Sequence, residues 1–184
     1  MLKSRIELAQ HFAKSGFTCG AEVGVFGGYF SEVLLKTIPD LKLYAIDAWA
    51  VYPGYRDYKF EESMRKAEEL ARSRLANSNC EIIKDFSTNA VKLFADETLD
   101  FVYIDGNHEY KFVKEDIEEW TKKVRSGGIV SGDDYYMTRK GNMGVILAVN
   151  EFTNKFGYDL QVTPWDVFNV LEDNRQPQWW FVKE

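Results

Sequence analysis

The feature that most constrains this chain is an alternation: short apolar runs are separated by longer amphipathic stretches along most of its length. Such a pattern implies parallel strands joined by crossover helices. The spacing predicts a helix over 3–15 ending at Gly16, and a first strand over Ala21–Val25. A glycine-rich turn follows, then a helix over Ser31–Thr37 stopped by Pro39 and Asp40. A second strand, Leu41–Ile46, runs into Asp47. Beyond an aromatic loop, Trp49–Tyr58, come a charged helix over Glu61–Leu75, a strand over Glu81–Lys84, a short helix over Ser87–Leu93 and a fourth strand, Phe101–Ile104. Val113, Ile117, Trp120 and Val124 line one face of a helix over Glu109–Val124, which Gly127 and Gly128 are expected to end. A fifth strand, Ile129–Ser131, and a helix over Met143–Phe156 come next. Two short apolar runs between Asp159 and Val182 read as an antiparallel pair at the sheet edge, with turns at Pro164 and Pro177, and Trp179 and Trp180 packing there.

A length of 184 residues favours one domain, here expected to span 1–184. At this size roughly 70% of the unfolded surface is buried on folding, enough for a core without staples or metals. A net charge of -6 argues against a broad nucleic-acid surface, which needs clustered Lys and Arg. Two cysteines, Cys19 and Cys80, are too few for a disulfide framework and are expected as free thiols. The first residues lack the apolar run of a signal peptide, and no stretch approaches the roughly 20 apolar residues that span a bilayer; the expected location is cytoplasmic.

Ala21-Glu22-Val23-Gly24-Val25-Phe26-Gly27-Gly28 sits between a strand and a helix. Glycines there allow a sharp turn and a close ligand approach, and helix N-terminal amides face the ligand. Asp47 ends the second strand, where a carboxylate accepts hydrogen bonds from ribose hydroxyls. Asp85 can accept an adenine amino group while Phe86 packs on the ring. These features fall at carboxyl ends of strands, where open parallel sheets bind ligands. Glu22, just before the glycines, suits a sulfonium ligand carrying an amino group better than a dinucleotide's pyrophosphate.

A second set lies nearby. Asp105, Asp133 and Asp134 follow adjacent strands and should converge. Close carboxylates repel one another unless a cation sits between them. Mg²⁺ takes oxygen ligands and keeps several waters, so two or three carboxylates suffice, and it could hold a substrate hydroxyl and lower its pKa. Asp105 also counts among the expected cofactor contacts and, with His108, as a catalytic residue: an imidazole three positions on can take a hydroxyl proton. His11, on the first helix, is expected to be structural. Trp49, Tyr52, Tyr55, Tyr58, Tyr135, Tyr136 and Met137 crowd two loops that should flank the ligand, where they could cover a ring-bearing or sugar substrate, form a lid or make a homodimer contact.

From Cys19 to Phe156 the chain resembles a class I S-adenosylmethionine-dependent methyltransferase. The more specific segments are Leu99-Asp100-Phe101-Val102-Tyr103-Ile104-Asp105-Gly106-Asn107-His108 and Gly127-Gly128-Ile129-Val130-Ser131-Gly132-Asp133-Asp134-Tyr135. They are similar to the macrocin-type sugar O-methyltransferases, which carry an Ile-Asp-Gly-x-His pattern after the fourth strand and an acidic pair after the fifth. The resemblance implies an α/β fold, a Rossmann-like three-layer sandwich with a mostly parallel seven-stranded sheet whose last strand is antiparallel. It also implies cofactor roles for Glu22, Gly24, Gly28, Asp47 and Asp85, a metal at the acidic positions and a small hydroxylated acceptor. Phe26 departs from the commoner acidic-x-Gly-x-Gly-x-Gly spacing by replacing its middle glycine. The competing expectations are a dinucleotide-dependent oxidoreductase and a non-catalytic module that binds the same nucleoside ligand.

Overall fold

A computed structural model describes residues 2–53, 60–139, 141–166 and 175–184. Its helices are α1 (Arg5–Lys14), α2 (Tyr29–Thr37), α3 (Glu61–Leu75), α4 (Ser87–Ala90), α5 (Tyr110–Lys123) and α6 (Gly144–Phe156). Its strands are β1 (Cys19–Val23), β2 (Lys42–Asp47), β3 (Cys80–Lys84), β4 (Leu99–Ile104), β5 (Val124–Gly132), β6 (Gln161–Val162) and β7 (Trp179–Val182). They form one seven-stranded sheet in the order β3-β2-β1-β4-β5-β7-β6. The strands β3, β2, β1, β4 and β5 pair in parallel, and β7 runs antiparallel to both β5 and β6. Among the described residues no helix is long and apolar enough to cross a membrane.

Alternation along the central strands sends successive side chains into different layers. Phe101 and Tyr103 of β4 join Leu8, Phe12 and Leu34 of α1 and α2 on one face. Val102 and Ile104 join Val113, Ile117 and Trp120 of α5 and Val145 and Val149 of α6 on the other. Met64, Ala67, Ala71 and Leu75 seat α3 against Val25 and Ala45. The sheet is therefore the middle of three layers, as expected.

Several element boundaries shift from the sequence reading, and some of the shifts have a clear physical cause. β1 starts at Cys19 and stops at Val23, because its pairing with β2 begins at Cys19↔Lys42 and Gly24 then turns the chain with φ 92°. Gly127 and Gly128 do not end α5. The backbone is already extended at Val124, and β5 runs on through both glycines. They sit where the register against β4 shifts, from Leu99↔Val124 to Phe101↔Ile129, and there the Gly127 amide and the Gly128 carbonyl bond to Lys183. The C-terminal β7 lies inside the sheet, between β5 and β6, so Trp179 is fully buried instead of packing an edge. Trp180 meets the ring of His11, 5.4 Å away, consistent with a structural His11. Cys19 and Cys80 are free, on strands separated by β2.

Candidate active site

The strand order reverses beside β1: the chain moves from β1 to β2 and β3 on one side, then to β4 and β5 on the other. A crevice outside the carboxyl ends of strands at such a switch point is where open α/β sheets bind ligands. Here it is a cavity of about 1030 Å³, lined by Glu22, Gly24, Asp47, Asp85, Phe86, Asp105, His108, Asp133 and Asp134 among others. Every residue expected in the site except Gly28 thus borders one space.

The turn after β1 is built for close approach. A Cβ at Gly24 would lie 2.0 Å from the Asp105 carbonyl oxygen, so only glycine fits there. Gly28, at φ 73°, caps α2 and meets Ala71 of α3 instead of the cavity. Phe26, which stands where the commoner pattern has glycine, adopts φ 48°. The turn therefore keeps the glycine conformation and carries its cost in a phenylalanine. Three hydrogen bonds help hold it: the Asp47 Oδ2 accepts from the amides of Val25 (2.9 Å) and Phe26 (2.8 Å), and the Trp49 Nε1 donates to the Phe26 carbonyl (2.8 Å). Asp47 Oδ1 takes the Trp49 amide as well, at 2.7 Å. A carboxylate has about four acceptor sites, so one remains for a ligand hydroxyl. Burial pushes the Asp47 pKa up, against the pull of the three amides.

Glu22 is 1% exposed and accepts a hydrogen bond from the Ser31 hydroxyl. Burial pushes its pKa up to about 8, with Ser31 opposing. A cationic group arriving in the cavity would offset that penalty. The Asp85 Oδ1 accepts from the Phe86 amide (2.7 Å) and the Asn89 side chain (3.0 Å), so this carboxylate ties down the start of α4. Phe86 is 41% exposed, with the Tyr52 ring edge-on at 5.2 Å. Tyr55 and Tyr58, also expected near the acceptor, lie outside the described residues.

The acidic set is corrected by the structure. Ligand atoms of Asp105, His108 and Asp134 lie within 4.8 Å of one another, and Asp133 is not among them. His108 Nε2 is 3.1 Å from Asp134 Oδ2 and 3.4 Å from Asp105 Oδ1. Neighbouring residues at a strand end point to opposite faces. Asp133 faces α1, pairs with the buried Arg5 at 3.4 Å and accepts from Gln178 at 3.1 Å. Asp134 takes φ 58°, a left-handed turn that brings its carboxylate to His108. Burial raises the pKa of Asp105 and of Asp133; His108 opposes it at the first, and Arg5 opposes it at the second. Sequence reasoning missed Arg5, which lines the cavity and lies over the Phe30 ring at 5.0 Å. Its only signal was one basic residue on the apolar face of the first helix.

A family model described as a methyltransferase domain matches residues 21–135, more than half of the chain. The chain belongs to that methyltransferase family. Its fold is that of the class I S-adenosylmethionine-dependent methyltransferases. An uncharacterised protein of Acanthamoeba polyphaga mimivirus is 28% identical over 132 residues, 70% of this chain; the chain spans 56% of that relative's length. Among solved structures, an O-methyltransferase from Bacillus cereus in complex with S-adenosylhomocysteine superposes with a TM-score of 0.66 at 18% identity, over 97% of this chain and 80% of that one. The O-methyltransferase TomG from Streptomyces achromogenes, involved in tomaymycin synthesis and in complex with S-adenosylmethionine, gives 0.66 at 17%, over 98% and 80%. An rRNA methylase from Streptococcus thermophilus gives 0.65 at 15%, over 100% and 98%. At such identities the likeness is one of fold, and these neighbours differ in acceptor.

Proposed function

We propose that this methyltransferase moves the methyl group of S-adenosylmethionine to a hydroxyl of a small acceptor, in the manner of the macrocin-type enzymes, with a divalent cation assisting. The observation that carries this reading is the convergence of Asp105, His108 and Asp134 in the same cavity as the glycine turn. The net charge of -6 argues against an RNA acceptor.

In this reading Glu22 faces the donor's amino group, Asp47 offers its remaining acceptor site to the ribose, and Phe86 stacks on the base. The donor set fits a cation: two carboxylates and one imidazole converge within 4.8 Å. Two carboxylates suit Mg²⁺ or Mn²⁺, and the imidazole also suits softer divalent ions. A bound cation would hold the acceptor hydroxyl and lower its pKa. His108 takes the hydroxyl proton as the oxygen bonds to the methyl carbon; the carbon–sulfur bond breaks, and its electron pair neutralises the sulfonium. The short distance from His108 to both carboxylates favours a second role, as third ligand.

Formation of S-adenosylhomocysteine against a panel of hydroxylated sugars and phenols tests the proposal. Turnover should vanish on chelation and return with Mg²⁺ or Mn²⁺; full turnover after exhaustive chelation refutes the cation. His108→Gln should lower kcat by roughly 10²–10⁴. If it weakens Mn²⁺ binding in parallel, His108 is a ligand.

A further inference from the structure

One buried acid in the cavity has no part in the chemistry above. Asp116 lies on α5, is 6% exposed, and borders the cavity at the end marked by Phe86, Gly106 and Phe112. Its surroundings fix which of its oxygens is free. The Trp120 Nε1 donates to the Ser87 Oγ at 2.7 Å, and the Ser87 hydroxyl in turn donates to Asp116 Oδ1. The indole N–H can only donate, so the serine hydroxyl proton is committed to Asp116. The other oxygen, Oδ2, lies towards Gly106: a Cβ on that glycine would stand 3.8 Å from Oδ2 and 3.9 Å from Val23 Cγ1. Gly106, Val23 and Phe86 line the cavity together with Asp116, and the Phe86 ring is 41% exposed. Tyr52 packs edge-on against both Phe86 and Phe112, at 5.2 and 6.0 Å.

We propose that Asp116 reads the base of the methyl donor, its Oδ2 accepting a hydrogen bond from the exocyclic amino group of adenine. This rests on the methyl-donor reading and adds, on α5, a second, buried carboxylate to the base site expected at Asp85, whose Oδ1 is tied to the start of α4. A buried acceptor placed for an amino group discriminates strongly against a ligand that presents a carbonyl at the same place, because two acceptors are then opposed. Hypoxanthine differs from adenine in that respect. Burial, with Glu115 adding to it and Ser87 opposing, pushes the Asp116 pKa up to about 7, so its charge state changes near neutrality. The ionised form accepts from adenine; the protonated form can donate to the 6-oxo group of hypoxanthine.

The test is calorimetric titration of the full chain with S-adenosylhomocysteine and S-inosylhomocysteine. The wild type should prefer the adenine ligand by at least about tenfold, and Asp116→Asn should bring the two within about twofold. Equal binding by the wild type, or an unchanged preference in Asp116→Asn, overturns the assignment and leaves the methyl-donor reading standing. Failure of the wild type to bind either ligand refutes that reading and this one together. If Asp116→Asn does not fold, the wild type decides alone. Its preference for the adenine ligand should rise between about pH 6 and pH 8 as Asp116 ionises, and a flat ratio overturns the proposal.

Discussion

Glu22 should make the protein less stable as the solution becomes more alkaline. Its carboxyl is 1% exposed, and its pKa is raised from 4.5 to about 8, chiefly by burial. Between those values the folded protein holds a proton that the unfolded chain has lost. Stability therefore falls with rising pH, by about 1.4 kcal/mol per pH unit while the difference in bound protons is complete. The full effect, about 5 kcal/mol, is reached above the folded pKa and is absent below about pH 4.5. Glu22→Gln keeps the volume and an oxygen for the Ser31 hydroxyl but removes the titration. Denaturant unfolding of both proteins at a series of pH values from 5 to 9 isolates the contribution, because the other buried acids, Asp105 and Asp133 among them, are common to both. The variant should gain on the wild type steadily up to about pH 8 and level off above it. Parallel stability curves would refute the reasoning. A cationic ligand beside Glu22 should reduce the wild type's loss, so S-adenosylmethionine should stabilise it more at pH 8 than at pH 6.

Other substitutions test the turn and the back of the site. Phe26→Gly should raise stability by about 1 kcal/mol in denaturant unfolding, since glycine adopts φ 48° without the steric cost; a loss would mean that Phe26's own contacts outweigh it. Arg5→Met should cost about 3 kcal/mol at neutral pH, because it strands the Asp133 carboxylate in the interior; a change below about 1 kcal/mol would show that the pair at 3.4 Å carries little.

The parallel sheet was legible because buried strands and amphipathic helices leave opposite periodicities in the sequence. β2 and α3 came out almost to the residue. β1 was placed late because Cys19 and Gly20 offer only one small apolar side chain, although both pair with β2 and Gly20 also with β4. The Gly127–Gly128 pair reads locally as a helix stop, and its place within β5 is decided by Lys183, far along the chain. The antiparallel pair at the end of the chain was legible and does close the sheet edge; that β7, not β6, lies next to β5 was not. Which residues share the cavity was legible wherever a strand end fixes a position: Glu22, Asp47, Asp85 and Asp105 all border it. Between the adjacent Asp133 and Asp134, sequence cannot say which faces Arg5 and which faces His108. Asp116 escaped notice because, among Glu115, Glu118 and Glu119, it looks like part of a solvated face.

The most direct test of the central claim is titration of the purified chain with S-adenosylhomocysteine and, separately, with NAD⁺. A carboxylate-lined crevice holding Glu22 at the glycine turn should bind S-adenosylhomocysteine with one-to-one stoichiometry and leave NAD⁺ unbound. Binding of NAD⁺ without S-adenosylhomocysteine would contradict it.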